Sequence, residues 1–486
     1  MGVLDQLKPA KVFEYFEGLC SVPHGSGNTK QISDLICSYA KDLGLRYIQD
    51  ELNNVIVYKD ATPGFEKLPV FILQGHMDMV CAKTDECKKD MAKEGLDLAT
   101  DGEWVWAKET SLGGDNCIAV AIVLAILADD SLAHPALEAV FTIDEETGMD
   151  GANGLAYSKL RGKYMLNLDS EEEGVFTVSC AGGIRVDCTL PAPKESVSKE
   201  DKCFELVIDN LLGGHSGCEI GTGRANSNKL MGRLLYQLKQ AAPSLRIASM
   251  DGGVFDNVIC NKTSCGIVVA ASEAELMVSE VLYFAEAMKG EYSVLDPNIR
   301  IAVNHSEYKD AATAEASQNI INLLMAAPQG VLAMSAEFEG LVETSLNIGV
   351  TRMEEKEFYF TYSIRSSVPS RKLATFDMVA SLVSLAGGKI KPRSPYPSWP
   401  YNKNSKLLPL LGECYKGLAG KEAKIEGTHG GLECGSFASK LSGLDVVSIG
   451  PDLLDIHSPR EKLSVASTER LYKLTCSVLS RANDIE

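Results

Sequence analysis

Five stretches of the chain bring histidines and carboxylates beside apolar runs, four at the end of such a run and one, a glycine loop, just ahead of one. They are "FILQGHMDMV" with His76 and Asp78, "SLGGDNC" with Asp115, "AVFTIDEE" with Glu145 and Glu146, "YMLNLDSEE" with Asp169, and "VVSIGPDLLDIHSP" with His457. Two imidazoles and at least four carboxylates delivered by buried segments are costly to gather unless a cation neutralises them. A divalent metal is the simplest neutraliser. Imidazole and carboxylate donors without thiolate suit zinc, and also manganese or cobalt. A carboxylate able to bridge points to a pair of ions about 3.5 to 4 Å apart. Asp115, behind two glycines that let its loop bend tightly, is the expected bridge.

Such residues need a scaffold that aims several strand ends at one place. The first 180 or so residues alternate helical patterns, such as "TKQISDLICSYAKDLG", with strand-like runs: "NVIVYKD", "LPVFILQGH", "EAVFTIDEE" and "YMLNLDSEE". This alternation argues for an α/β sheet covered by helices. In open α/β sheets the carboxyl ends of strands face the ligand crevice, which would gather His76, Asp78, Glu145, Glu146, Asp169 and His457. From about residue 184 to 395 the rhythm loosens into amphipathic strands and helices. "KPRSPYPSWPYNKNSK", dense in proline and serine, reads as a linker, and "GLDVVSIGPDLLDIHSP" then resumes the first pattern. The predicted fold class is α/β: a mixed sheet flanked by helices over residues 1–183 and 396–486, split by an inserted α+β domain over 184–395.

Composition narrows the partners. A chain of 486 residues exceeds the size at which one core keeps growing, so more than one domain is expected. Its mean hydropathy of -0.02 is that of an ordinary folded, water-soluble protein. The net charge of -19 repels phosphate, and no Lys/Arg-rich block overrides it, so neither nucleic acid nor an anionic membrane is an expected partner. The longest apolar run, "CIAVAIVLAILA" at 117–128, is too short to cross a hydrocarbon core of about 30 Å and reads as a buried helix. The N-terminus carries no secretory pattern, so cytoplasmic residence is the expectation. The 14 cysteines contain no C-x-x-C pair and are expected to be free thiols, mostly core filler.

In order and spacing, "GHMDMV", "GGDN", "DEETGMDGA", "LDSEEEG" and "IHSP" resemble the five ligand motifs of the two-zinc exopeptidases that include aminoacylase, carboxypeptidase G and carnosinase. "CAGGI", "GGHSGCEI", "VETSLNIGV", "IRSS", "GLECG" and "VSIGP" extend the likeness to the aminoacyl-histidine dipeptidases of that family, over nearly the whole chain. The resemblance implies a zinc-exopeptidase-type catalytic domain, an inserted lid domain through which two copies pair as a homodimer, and cleavage of Xaa-His dipeptides. It implies two divalent ions, one held by His76 and Asp169, the other by Glu146 and His457, with Asp115 between them. Asp78 would align His76 by accepting the N–H of the imidazole nitrogen that does not bind metal. Glu145 would take a proton from the attacking water and return it to the leaving amine. On the lid, which would close over the substrate, His215 would stabilise the oxyanion and Arg365 would pair with the carboxylate of the dipeptide. Asn257 would lie near the substrate, although Cys260 stands where the family usually carries a proline. Glu433 would contact the amino group or the histidine ring of the substrate.

Simpler readings suit several other residues. His24, His134 and His305 are expected to be structural, and Glu171 to Glu173 to form a solvated loop. His429, in the glycine-rich "GTHGGLECG", suits either a turn or a site. Two other functions fit less well. A related amidohydrolase acting on N-acylated amino acids or other short peptides would share the metal site. A non-catalytic scaffold would lack a ligand or the base, and none is missing.

Overall fold

The computed structural model describes residues 2–485, which fall into two compact units. One runs to Cys180 and resumes with Trp399–Gly427 and from Leu432 onward; the other comprises Ala181–Ser398 and Thr428–Gly431. Thr428–Gly431 thus departs from the sequence expectation, which keeps everything after residue 396 in the first domain.

The first unit is built on eight strands in the order Arg46–Gln49, Val55–Lys59, Leu137–Thr142, Phe71–His76, Tyr164–Asn167, Asp445–Ser448, Val175–Cys180 and Lys424–Thr428. The four from Leu137–Thr142 to Asp445–Ser448 are parallel, and antiparallel pairs flank them. Parallel strands covered on both faces read as continuous apolar runs, and Phe71–His76, Leu137–Thr142 and Asp445–Ser448 are buried at every position. All four parallel strands therefore end on the same edge.

The helix Gly114–Leu127 is buried along its length except at Asp115, as an element apolar on every side must be. It packs on Phe71–His76 and on the helix Ala10–Cys20. A Cβ at Gly75 would stand 2.5 Å from Asn116 Oδ1 and 2.7 Å from Ala119 Cβ. Only glycine allows this strand and the start of this helix to come so close. A small separate sheet holds the hairpin of Leu453–Leu454 and Lys462–Ser464, whose loop carries His457. Among the described residues no helix is long and apolar enough to cross a membrane, and all the cysteines are free, most of them buried.

The second unit is an antiparallel sheet in the order Arg300–His305, Lys202–Asp209, Thr263–Val269, Arg246–Gly252, Val342–Met353, Glu357–Ser366, Gly182–Pro191 and Lys389–Tyr396, with Gly330–Met334 paired to Val342–Met353. The helices Ser227–Ala241, Ala274–Glu291, Ala314–Ala326 and Pro369–Leu385 contribute to one core with it, where Leu234, Phe284, Leu324 and Val383 meet Phe358 and Phe360. The proline-rich stretch expected as a linker is instead, in its first half, the outermost strand, Lys389–Tyr396. Pro392 lacks the N–H that an inner strand needs, and an edge position tolerates the loss.

Candidate active site

Three of the four parallel strands of the first unit deliver polar residues at or just past their last apolar position. His76 closes Phe71–His76, Glu145 and Glu146 follow Leu137–Thr142, and Asp169 follows Tyr164–Asn167. Asp115 comes from the start of the buried helix and His457 from the hairpin loop. Asp144, Asp455 and His457 take left-handed backbone conformations, with φ of 54°, 50° and 58°. Such angles are uncommon outside glycine, and they gather where loops present functional side chains.

His76 Nε2 lies 3.2 Å from Asp115 Oδ1 and 3.3 Å from Asp169 Oδ1. His457 Nε2 lies 3.2 Å from Asp115 Oδ2 and 2.8 Å from Glu146 Oε1. Asp115 thus turns one oxygen toward each imidazole. His76, Asp115 and Glu146 each offer a ligand atom, all within 4.8 Å of one another, close enough to share a cation. The donors are imidazole nitrogens and carboxylate oxygens, a set that fits a divalent metal.

The charges in this cluster hold one another. Burial opposes ionisation of Asp115, but hydrogen bonds from His457 and His76 outweigh it and keep its carboxyl well below the ordinary carboxylate range. Burial pushes Asp169 up to about 6 against the pull of His76. Burial also disfavours charge on His76, yet Asp169 and its other carboxylate neighbours raise it well above an ordinary imidazole. Asp115 and Glu146 push His457 up to about 10. Glu145 is raised well above an ordinary carboxyl, by burial first and, with His76 opposing, by Asp169.

Asp78 faces His76 and also holds the turn that carries the two glutamates. Its carboxylate accepts from Ser26 Oγ at 2.8 Å and from the backbone N–H groups of Glu145 and Glu146 at 3.1 and 3.4 Å. His76 Nδ1 donates to the backbone carbonyl of Asp78 at 3.0 Å, while the carboxylate stands 3.4 Å away. The carbonyl therefore fixes the imidazole with Nε2 facing the cluster, and the carboxylate anchors the turn that carries both glutamates. Asn116 ties two strand ends together, accepting from His76 N–H at 3.1 Å and donating to the Leu168 carbonyl at 2.8 Å.

Glu433 is completely buried. Its Oε2 accepts from Gln74 Nε2 at 2.5 Å and Thr142 Oγ1 at 2.6 Å, and Gln74 is two residues before His76. Oε2 thus supports the strand that carries His76, while Oε1 has no hydrogen-bond partner among the described residues. Burial pushes this carboxyl up to about 8. Because the folded value exceeds the ordinary glutamate value of 4.5, the folded chain keeps a proton that the unfolded chain releases, so this residue's contribution falls as pH rises from about 4.5 to about 8. Glu433→Gln, which copies the neutral form, is expected to be tolerated and to flatten that slope in urea titrations at several pH values. Glu433→Ala strands two donors and is expected to cost about 1–3 kcal/mol for each.

Sequence reasoning missed Glu461. It is buried, and its carboxylate accepts from four successive amides: Oε2 from Leu112 and Gly113 at 2.7 and 3.1 Å, Oε1 from Gly114 and Asp115 at 2.8 and 3.3 Å. Its position four residues after His457 is the one signal in the sequence. Glu173, expected in a solvated loop, is held by two oxygens to Arg470 at 2.5 Å each.

The pattern of peptidase family M20/M25/M40 matches residues 72–481, most of the chain. The chain belongs to this family. This M20 peptidase is 37% identical, over 99% of both chains, to the cytosol non-specific dipeptidase of Escherichia coli (strain K12). Its fold matches the crystal structure of aminoacylhistidine dipeptidase from Vibrio alginolyticus with a TM-score of 0.90 and 34% identity, covering 98% of each chain. Aminopeptidase PepT from Bacillus cereus ATCC 10987 is similar in fold alone, with a TM-score of 0.56 and 13% identity over 98% of this chain and 99% of that one.

The second unit of the M20 peptidase gathers its own cluster. His215 Nε2 lies 3.4 Å from an Arg365 Nη2, and Arg365 Nη1 donates to Tyr396 Oη at 2.8 Å. Arg365 is buried and its Nε has no hydrogen-bond partner; among the described residues no carboxylate stands within ion-pair distance of it. Burial and then the guanidinium hold His215 below its ordinary value. The same causes push His429 down to about 4, and its Nε2 meets Ser345 Oγ at 2.7 Å. Asn257 joins through its backbone, its carbonyl accepting from Ser216 N–H at 2.8 Å. One buried cation beside two neutral imidazoles suits an incoming carboxylate. His24 and His134 lie outside this cluster, each bonded through Nδ1 to a backbone carbonyl, and His305 packs on Phe204.

Proposed function

We propose that this M20 peptidase hydrolyses dipeptides with two divalent metal ions, zinc suiting the donors best, with manganese or cobalt as alternatives. The observation that carries this reading is Asp115, whose two oxygens face the Nε2 atoms of different histidines. In this reading His76 and Asp169 would hold one ion and Glu146 and His457 the other, with Asp115 offering a carboxylate oxygen to each. Such ions, when bound, lower the pKa of water and polarise a carbonyl oxygen. Glu145 accepts the proton of the water that adds to the scissile carbonyl and returns it to the departing amine. Asp78 keeps Glu145 in place through its backbone N–H. From the second unit, His215 donates to the developing oxyanion, Arg365 pairs with the carboxylate of the substrate, and Asn257 lies along it.

Xaa-His dipeptides, carnosine-like ones included, are the preferred substrates in this reading. A broad dipeptide range is the second, favoured by the name of the Escherichia coli relative, and that name also supports residence in the cytosol. The test is product release from Xaa-His dipeptides, other dipeptides and N-acetyl amino acids, before and after chelation and with zinc or manganese restored. Metal-dependent release from histidine-ended dipeptides is expected. Release from N-acetyl amino acids alone would make the protein a sister amidohydrolase, and release from none would end the reading. Light scattering on the same sample tests the proposed homodimer, which a mass of 52.4 kDa, that of one chain, would contradict.

A further inference from the structure

We infer that Glu461 is a positioning residue that locks the Asp115 loop to the His457 segment and so sets how tightly the ion between those two residues is held. The inference rests on the two-metal reading above. A helix start is ordinarily capped by a small polar side chain next to it. Here the residue at the cap is Gly113, in a left-handed conformation, and no local side chain caps the helix. The acceptor comes from 346 residues further along the chain and takes four consecutive N–H groups, the last belonging to Asp115 itself. Successive amides made to converge by a left-handed residue form a concavity suited to one anion.

The glycine pair makes this clamp possible. A Cβ at Gly114 would lie 2.9 Å from Leu453 Cδ2 and 3.2 Å from Glu461 Oε1, so any side chain there crowds both the hairpin and the carboxylate. Glu461 is also tethered at both ends of its own segment. Its N–H donates to the Ser458 carbonyl, next to His457, and it directly precedes the strand Lys462–Ser464, which pairs with Trp104–Ala107. The clamp therefore joins two residues that face each other at 3.2 Å across His457 Nε2 and Asp115 Oδ2. Groups that orient metal ligands in this way are worth about 10- to 100-fold in metal affinity.

Glu461→Gln tests the inference, because an amide offers one oxygen and sets an NH2 group against the remaining N–H donors. Glu138→Gln is the control. Glu138 is also a buried carboxylate of the first unit and accepts backbone N–H groups, from Arg161 and Gly162, near the start of the strand that ends before Glu145. Zinc bound per chain is measured by equilibrium dialysis over a series of buffered free-zinc concentrations, with melting temperature, kcat and KM measured alongside. Glu461→Gln is expected to fill one site like the unaltered protein and to need about 10- to 100-fold more free zinc for the other. Its kcat should recover as zinc rises, with KM unchanged. Glu138→Gln should bind zinc normally even where it melts earlier. Zinc binding by Glu461→Gln that matches the unaltered protein would overturn the inference. Fewer than two zinc ions on the unaltered protein would instead overturn the two-metal reading. Should Glu461→Gln not fold, Glu461→Asp, which keeps the charge but reaches one methylene less, gives the same comparison.

Discussion

Glu145→Gln is expected to lower kcat by about 10²- to 10⁴-fold while bound metal stays unchanged. Glutamine keeps the shape of the side chain and the N–H that bonds to Asp78, so the turn carrying Glu146 should hold. What it loses is the capacity to take a proton from water and deliver it to the amine. That proton moves only in the reaction, so kcat and kcat/KM should fall together and KM should change little. Steady-state kinetics with metal analysis of the same sample checks this. Activity within tenfold of the unaltered protein would mean that another group carries the proton.

Asp115→Asn should do more, because it strikes binding and chemistry together. One carboxylate serves both His76 and His457, and its hydrogen bond, more than that of Glu146, raises His457 to about 10. A ligand should matter more than a group that only orients one, so metal binding should weaken by more than about 100-fold. The variant should be inactive at zinc concentrations that saturate the unaltered protein, and its His457 imidazole should titrate closer to 6.5, the ordinary imidazole value in water. Dialysis against graded zinc and an NMR titration of the imidazoles measure the two effects. Unaltered zinc affinity would remove Asp115 from the centre of the site.

Sequence reveals this site well where its parts are local. Strands buried on both faces leave unbroken apolar runs, so the point where "FILQ" yields to "GHMD" marks a strand end, and Gly75 marks a close approach that the packing of Asn116 and Ala119 explains. Each ligand arrives with its own complete motif. Residues whose task is set by distant contacts leave no such mark. Glu433 meets Gln74 across 359 positions and Glu461 meets Gly113 across 348, and the residues beside each in sequence do not name those partners. His429 belongs with Ser345 of the second unit, a pairing that its surrounding glycines, which suit a turn or a site alike, do not reveal. Proline and serine suggested a linker at 391–406, because composition does not distinguish a free segment from a strand that needs few backbone donors.

That outermost strand also bears on the colloidal fate of the protein. An uncovered sheet edge is a template on which strands of other molecules add one after another. Along Lys389–Tyr396, Pro392 and Pro395 remove backbone donors, Ser394 turns left-handed at φ 46°, and the pairing register breaks between Arg393 and Tyr396. Lys389 and Lys391 stand exposed beside them. A second copy of this strand arriving here would meet missing donors, a bend and like charge on its lysines, features that discourage fibril-like growth along this border.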